Sequence, residues 1–435
     1  MEGRILIGEL ASYVGETVTI AGWIDVRRDQ GKMVFFDFRD RSGFVQGVVL
    51  PGSEALELAK ETRNEFVVSV TGIVNKRPDK NIQEGKQNGD IELEVLGIEI
   101  LSKAEELPFD KDTDLNIDTR LDYRPYTLRS QRDRDIFTVQ ATIIDAYRDS
   151  LKRQGLLEFV APALVGGDAE GGSAVFKVGY YYDQTAYLAT SPQLYKQIMV
   201  GAFERVFTIV KVFRAEKSAT TRHLSESTQM DFEMGFIKDE SDVMAVLEET
   251  IRDTVTEVAQ KHEKEFARLG AEVPKLGQKF PILTLAEAHA TLGVTPEDDM
   301  TPEHERDICE WALKEHGSDF VFITKFPTAS RAFYTMPDEG PLSRGFDLLF
   351  RGLEINSGAQ RIHSYDEMVA RIAERGMDPD KFAFYLQSFK YGMPPHGGCS
   401  TGLERFTARM LGLANIREAS AFPRDMNRID TLLSQ

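Results

Sequence analysis

Arg214 and Glu216 stand two apart at the end of one strand-like run, "RVFTIVKVFRAE", and Asp231 and Glu233 stand two apart in the next, "MDFEMGF". Strand positions two apart share a face. A hairpin over these segments therefore offers Arg, Glu, Asp and Glu on one side and Met230, Phe232, Met234 and Phe236 on the other. A hairpin needs only turn residues, yet this loop closes on Arg222 and His223. A planar guanidinium is a preferred partner of phosphate and carboxylate. A solvated face of alternating charge gives the same pattern, so both readings stay open on this segment alone.

Further segments carry chemistry of the same kind. In "FDLLFRGLEINSGAQRIH" (346–363), alternation puts Asp347, Arg351 and Ile355 on one face and Leu348, Phe350 and Glu354 on the other, ahead of Ser357 and Arg361. A carboxylate near a small hydroxyl at a strand end can help hold Mg²⁺, which takes few protein oxygens; an ordinary Asn-Ser-Gly turn is the alternative. In "GMPPHGGCSTGLERFTARMLG" (392–412), glycines precede a helix opening near Gly402, with Glu404 and Arg405 in its first turn. Such a helix start suits an anion, and plain turn chemistry also explains the glycines. "GGDAEGGSAVF" (166–176) is a glycine-rich loop carrying the acid Glu170, either a lid or a surface loop. "SPQLYKQ" sets Gln193 and Lys196 together at the start of a helix, a placement that by itself needs no function.

Elements must position these groups. Five alternating segments fill residues 1–103, with a helical stretch, "GSEALELAKETRN", after the third. That order is the order of an OB-fold barrel, a frequent oligonucleotide binder. Residues 104–130 read as a charged, Pro-containing hinge. In the helix that follows, Ile136, Val139, Ile143, Tyr147 and Leu151 share one face. It leads into "LLEFVAPALV", a strand interrupted by Pro162. Over 131–435, strands follow one another through short turns, as in "DFVFITKFP", "RAFYTM" and "GFDLLFRGLEIN", with a largely helical insertion at about 239–318. The expected fold is multidomain α+β, its larger domain an antiparallel sheet flanked by helices.

Composition narrows the class. At 435 residues, 42% hydrophobic and 28% charged, the chain suits two or three domains with a substantial core. The longest apolar runs fall short of a membrane span, and the start lacks the pattern of a signal peptide. Two cysteines, Cys309 and Cys399, make neither a metal site nor a disulfide framework, so a reducing cytoplasm is expected. A net charge of −18 disfavours general nucleic-acid binding, although "RRDQGK" (27–32) and "NKRPDK" (75–80) supply local basic patches.

Taken in order, "FRAE…TTRH", "GLEINSGAQRIH" and "STGLERF…NIREASAFPRD" resemble the catalytic domain of the class II aminoacyl-tRNA synthetases. "EGGSAVF", "SPQLYKQ" and "GMPPHGG" narrow the resemblance to the aspartyl-tRNA synthetases of the shorter, archaeal-like type, and it spans almost the whole chain. It implies ATP-dependent activation of L-aspartate to aspartyl-adenylate, then transfer to the 3′ end of tRNA(Asp). Catalysis would rest on positioning and charge stabilisation. Arg214 would bridge the aspartate carboxylate and the α-phosphate. Glu216 would meet the adenine side of ATP, with Arg222, His223 and Leu224 in the loop above it. Gly402, Leu403, Glu404 and Arg405 would hold the far phosphates. Glu354 and Ser357 would hold Mg²⁺, with Asp347 a second carboxylate. Gln193, Lys196, Ser357 and Arg361 would line the aspartate pocket, Asp231 would take the ammonium, and Glu170 would close over the amino acid. In the barrel, Phe35, Gln46 and Glu92 would meet anticodon bases, although Phe35 could equally be core. The helix 131–153 and the strand ending at Pro162 match the family's dimer-forming motif, so a homodimer is expected.

Lys196 and Arg361 would set the amino acid, because two cations complement a carboxylate and leave an amide short of charge. One such contact at 4 Å is worth about 4 kcal/mol at an effective dielectric near 20, before desolvation. The related asparaginyl enzymes differ at "QLYK" and "EGGSAVF". Two departures stand out: Ser400 where the family usually has glycine, and no aromatic near Ser227-Thr228 to lie under adenine. Rival readings are an aspartyl enzyme that also charges tRNA(Asn), decided by contacts around 75–90, a non-catalytic RNA-binding paralogue, and an amidating paralogue. Arg214, Glu216, Glu354, Ser357 and Arg405 argue against the second, and a barrel that reads an anticodon against the third.

Overall fold

The computed structural model describes residues 3–110, 113–167, 174–217 and 220–429. The chain divides into two compact units, Met1–Asp110 and Lys111–Gln435.

The first unit is a closed barrel of five strands: β1 (Thr17–Asp29), β2 (Val34–Arg39), β3 (Phe44–Val49), β4 (Val67–Lys76) and β5 (Ile91–Ser102), ordered β1-β2-β3-β5-β4. Helix α1 (Leu56–Glu61) lies between β3 and β4, where the sequence put it. Alternation decides the inside: Val34, Phe36 and Phe38 are buried while Phe35 and Asp37 face outward.

The expected hinge over 104–130 is partly folded. Helices α2 (Ile117–Asp122) and α3 (Arg124–Thr127) belong to the second unit. Arg124 fixes them there, donating to Asp133 at 3.0 Å and to the carbonyls of Ala421 and Ser420 at 2.7 and 3.1 Å. The long helix α4 (Gln131–Arg153) starts where Ser130 accepts from Asp133 N. Next come β6 (Leu157–Glu158) and a three-stranded sheet of β7 (Leu164–Val165), β8 (Lys177–Gly179) and β9 (Thr185–Leu188).

The main sheet is built from β10 (Arg205–Phe213), β11 (Glu226–Gly235), β12 (Ile282–Thr284), β13 (Phe320–Thr324), β14 (Gly345–Phe350), β15 (Glu354–Arg361), β16 (His396–Gly402) and β6. Its order is β12-β13-β14-β15-β16-β11-β10-β6. The six inner strands are antiparallel, whereas β12 and β6 pair in parallel at the two edges, so the sheet is mixed rather than wholly antiparallel. Helix α5 (Gln193–Phe203) packs on β10 and β11. Helices α6 (Glu240–Lys261) and α7 (Glu263–Leu269) join α4 in one apolar core with Phe232, Phe320 and Phe346. Helices α8 (Leu285–Leu292) and α9 (Pro302–His316) close a separate core over Val321, Ile323 and Leu349. The helical stretch 239–318 is therefore two layers, only the second of which stands apart. Helices α10 (Tyr365–Glu374), α11 (Ala383–Lys390) and α12 (Leu403–Met410) complete the unit.

Two sequence expectations change. "RAFYTM" is not a strand; only isolated bridges, such as Thr335 to Arg361, occur there. The glycine run before α12 is itself a strand, β16, in the middle of the sheet. Close neighbours explain its glycines: a Cβ on Gly398 would lie 2.1 Å from Phe232 O and 2.3 Å from Glu233 Oε2.

Candidate active site

Strands β10 and β11 form the expected hairpin, with a long loop at its end. Arg214 N donates to Ser225 O at 2.9 Å, one step past the last strand pair, and Arg214 and Glu216 are exposed beyond it. Asp231 and Glu233 lie deep in the sheet, buried under α5. The four charges do not share one open face. Phe236 also departs from the greasy face: its φ of 57° turns it out of the strand, where it is exposed.

The exposed pair opens onto a cavity of about 180 Å³. Arg214, Glu216, Arg222, His223 and Leu224 line it from the loop, Glu354 and Ser357 from β15, and Ser400, Gly402, Glu404 and Arg405 from β16 and α12. Three guanidiniums, two from the loop and one from α12, thus meet at one pocket. No partner for Arg214 occurs among the described residues; Arg405 Nη1 donates to Glu354 O at 3.0 Å, and Arg222 Nη2 pairs with Glu305 of α9. Burial, then the positive charge of Arg405, holds the His223 imidazole below its ordinary pKa. Among the described lining residues His223 is the one ring, where an aromatic under adenine was missed.

Two predicted phosphate contacts change. Leu403 is part of the apolar core. Both oxygens of Glu404 accept from Thr228, from its N at 2.9 and 3.1 Å and from its Oγ1 at 2.9 Å. An anion with that task pins β11 to α12 and repels phosphate, so of this group Gly402 and Arg405 remain suited to one.

Behind Ser400 lies a buried charged cluster. Ser400 Oγ bridges the Asp231 carboxylate (2.7 Å) and the Gln229 amide (2.6 Å). Lys196 Nζ reaches Asp231 Oδ2 at 2.9 Å and Glu233 Oε2 at 3.3 Å, and donates to Cys399 O at 3.2 Å. Arg361 donates through Nε to Glu233 at 2.8 Å and through Nη2 to Gly398 O at 2.8 Å. Burial pushes the Glu233 carboxyl up, but Arg361 and Lys196 outweigh it and hold it below its ordinary value. The two cations that the sequence set aside for a ligand each have an internal counter-ion, so the cluster is neutral as it stands. Arg361 Nη1 has no partner among the described residues.

Gln193 is placed by a relay that the sequence did not reveal. Its Nε2 donates to Gln197 Oε1 at 2.8 Å, which also accepts from Tyr385 OH at 3.0 Å. Gln197 Nε2 lies 2.7 Å from His396 Nε2, and His396 Nδ1 lies 2.8 Å from Pro394 O. A carbonyl only accepts, so Nδ1 carries the proton and Nε2 accepts from Gln197. Burial lowers the His396 pKa to about 4 and keeps the ring neutral.

Glu354 did not keep to the face that alternation gave it. Arg351 and Gly352, with φ of 47° and 76°, turn the chain between β14 and β15, and Glu354 returns beside Asp347 in a second, polar cavity of about 110 Å³. Asp347 is held bidentately by Arg331, at 2.6 and 3.0 Å, and Arg331 also donates to Ser357 Oγ at 3.2 Å. Burial, then the charge of Asp347, raises the Glu354 pKa. Arg331 and Glu305 were missed because one lies in the misread "RAFYTM" segment and the other in a helix that seemed remote. Glu170 lies outside the described residues.

In the barrel unit, Phe35 and Gln46 line a cavity of about 470 Å³ with Arg77, Gln83 and Lys86. Glu92 stands at its edge, 3.5 Å from Gln46 Nε2. The "RRDQGK" patch is partly neutralised, because Arg28 pairs with Asp37 at 2.7 and 3.0 Å.

The profile of tRNA synthetases class II (D, K and N) matches residues 116–426, all but the first and last few residues of the second unit. The chain belongs to that family. An OB-fold nucleic acid binding domain matches residues 18–101. The synthetase is 43% identical to an aspartate–tRNA(Asp/Asn) ligase of Thermus thermophilus, over 98% of this chain and 99% of that one. It is 37% identical to an aspartate–tRNA(Asp) ligase of Pyrococcus abyssi, over 95% and 96%. The crystal structure of the Pyrococcus horikoshii asparaginyl-tRNA synthetase with asparaginyl-adenylate superposes with a TM-score of 0.90 at 32% identity, over 99% and 100%. Fold therefore does not choose the amino acid; side chains must.

Mg²⁺ would find two fitting groups in the synthetase. Glu354 and Ser357 line the cavity beneath Arg214, and the raised Glu354 pKa is what a neighbouring cation would relieve. Asp347 fits less well, because Arg331 already occupies both its oxygens.

Proposed function

We propose that this synthetase activates L-aspartate with ATP and transfers it to tRNA(Asp). The observation that carries the amino-acid choice is the buried Lys196–Asp231–Glu233–Arg361 cluster set behind the nucleotide pocket. Arg361 Nη1 and the Lys196 ammonium would receive the side-chain carboxylate of the substrate, and Gln193 and Asp231 would face its ammonium. The α-carboxylate oxygen then attacks the α-phosphorus, the bond to pyrophosphate breaks, and the 3′-terminal ribose hydroxyl later displaces AMP from the acyl carbon. Arg214 is exposed on the pocket's lip, suited to bridging carboxylate and α-phosphate. Glu216 would meet the adenine, while Arg405 and Arg222 would take the outer phosphates. Glu354 and Ser357 would hold Mg²⁺, which would neutralise charge on the triphosphate.

ATP–pyrophosphate exchange, with aspartate and asparagine side by side, tests this reading; it requires exchange with aspartate and little with asparagine. Lys196→Leu should lower aspartate-dependent exchange at least ~100-fold, because it strands Asp231 as well as the ligand, while Glu233 keeps Arg361. ATP affinity should change little. Exchange that survives the substitution intact would refute the assignment.

A second reading, that tRNA(Asn) is also charged, is favoured by the relative named for both tRNAs. Charging assays with the two purified tRNAs decide it. We also propose a homodimer formed through the α4–β6 segment: β6 is an edge strand, and Leu157, Val160 and Leu164 beside it are exposed. Sedimentation should give twice the chain mass at micromolar concentration. Among the described residues no helix is long and apolar enough to cross a membrane; the cytoplasm, where tRNA and ATP are found, is the proposed location.

A further inference from the structure

Glu305 belongs to α9, in the layer that stands apart from the main core, yet it is tied to the nucleotide pocket. Its Oε2 takes Arg222 Nη2. Arg222 lines the nucleotide pocket and Glu305 does not; Glu305 instead lines the small cavity behind, with Asp299, Asp347, Glu354 and Arg331. The Arg222 guanidinium therefore stands on the partition between the two cavities, with its counter-ion on the side away from the nucleotide. We propose that Glu305 is a positioning residue that stands in for the terminal phosphate of ATP, holding Arg222 while the pocket is empty and yielding it when the nucleotide enters.

Three features support the exchange. Arg222 is Glu305's one side-chain partner among the described residues, and the other contact of the Arg222 guanidinium, 3.5 Å to Gly352 O, is long. Among the described residues the arginine is therefore held by one ionic contact and one long hydrogen bond. A terminal phosphate carries more charge and more acceptor oxygens than a carboxylate, so it competes well for one guanidinium. Finally, the cavity behind is crowded with acid: Glu305, Asp299, Asp347 and Glu354 line it against Arg331. Giving up Arg222 leaves Glu305 beside those carboxylates, and that penalty is charged against ATP. Without the Glu305 charge the penalty disappears, so the nucleotide should bind more tightly.

The inference rests on the reading of this pocket as an ATP site, and the two can fail separately. Aspartate-dependent pyrophosphate exchange by the unaltered full-length chain tests the site itself. The exchange of partners is tested by comparing Glu305→Gln with Glu303→Gln, an exposed residue on the same helix whose loss changes net charge equally. Calorimetric titration with ATP should show Glu305→Gln binding about three- to tenfold more tightly, the scale of a partly buried ion pair. AMP has no terminal phosphate to reach Arg222, so its affinity should be the same in both variants and in the unaltered chain. Glu305→Asp should restore the original ATP affinity. ATP affinity unchanged or weakened in Glu305→Gln overturns the proposal, as does an equal shift for AMP and ATP, which a general charge or folding effect would give.

Discussion

At the scale of single residues, the proposed amino-acid pocket is a set of opposed charges rather than two waiting cations. Lys196 and Arg361 are each answered by a carboxylate inside the fold. An incoming aspartate would add a negative group to a neutral cluster, where an asparagine would add none, and the donors left over on Arg361 are what favour the acid. The relay through Gln197 ties this pocket to His396, and that tie has a pH consequence. The ring is neutral in the fold, with a pKa of about 4, and an exposed histidine titrates near 6.5. Between those values the unfolded chain binds the extra proton. The stabilisation is therefore complete above about pH 6.5 and is lost as pH falls toward 4. The shift from 6.5 to about 4 corresponds to about 3 kcal/mol. Urea unfolding of His396→Gln should show a flatter dependence on pH over that window than the unaltered chain.

At the scale of elements, β16 shows how the pocket constrains its own scaffold. A strand with glycine at Gly397, Gly398 and Gly402 is weak by propensity. It persists because β15 and β11 flank it and because Glu233 needs the space above Gly398. Gly398→Ala should destabilise the second unit by about 1–3 kcal/mol or more, since the new methyl meets both backbone and the Glu233 carboxylate. It should also raise the KM for aspartate, because Glu233 cannot move without releasing Arg361. Denaturant titration and exchange kinetics on the same variant read the two effects. The turn at Arg351-Gly352 is the other decisive element, because it brings Glu354 back beside Asp347.

At the scale of the molecule, the two units divide the task. Phe35 is on the outside of the barrel, in a cavity with polar walls, while Phe36 and Phe38 fill the inside. Phe35→Ala should therefore leave pyrophosphate exchange unchanged, since that reaction needs no tRNA. Loss of one stacked base, worth about 1–3 kcal/mol, should raise the KM for tRNA(Asp) about five- to 100-fold in a charging assay. Equal damage to both reactions would place Phe35 in a structural role. With a net charge of −18, tRNA affinity must come from local patches. Arg28 is already paired with Asp37 and Arg77 is buried beside Glu92, so the exposed Lys86 at the cavity is the better candidate for a salt-sensitive contact.

Period and order were legible in the chain itself. Alternation gave the barrel its inside, helical spacing gave α4 its buried face, and the succession of Arg214, Glu354 and Arg405 gave the family, because these depend on residue type and near neighbours. The partners of charged groups were not legible. Glu404 looked like a phosphate ligand until Thr228 was beside it, 176 residues away. Arg331 and Glu305 carried no signal in the chain until folding set them against Asp347 and Arg222. Periodicity says which way a side chain points, but an ion pair forms between groups that meet only when distant strands and helices close, and only the tertiary structure decides which charge is left over for a ligand.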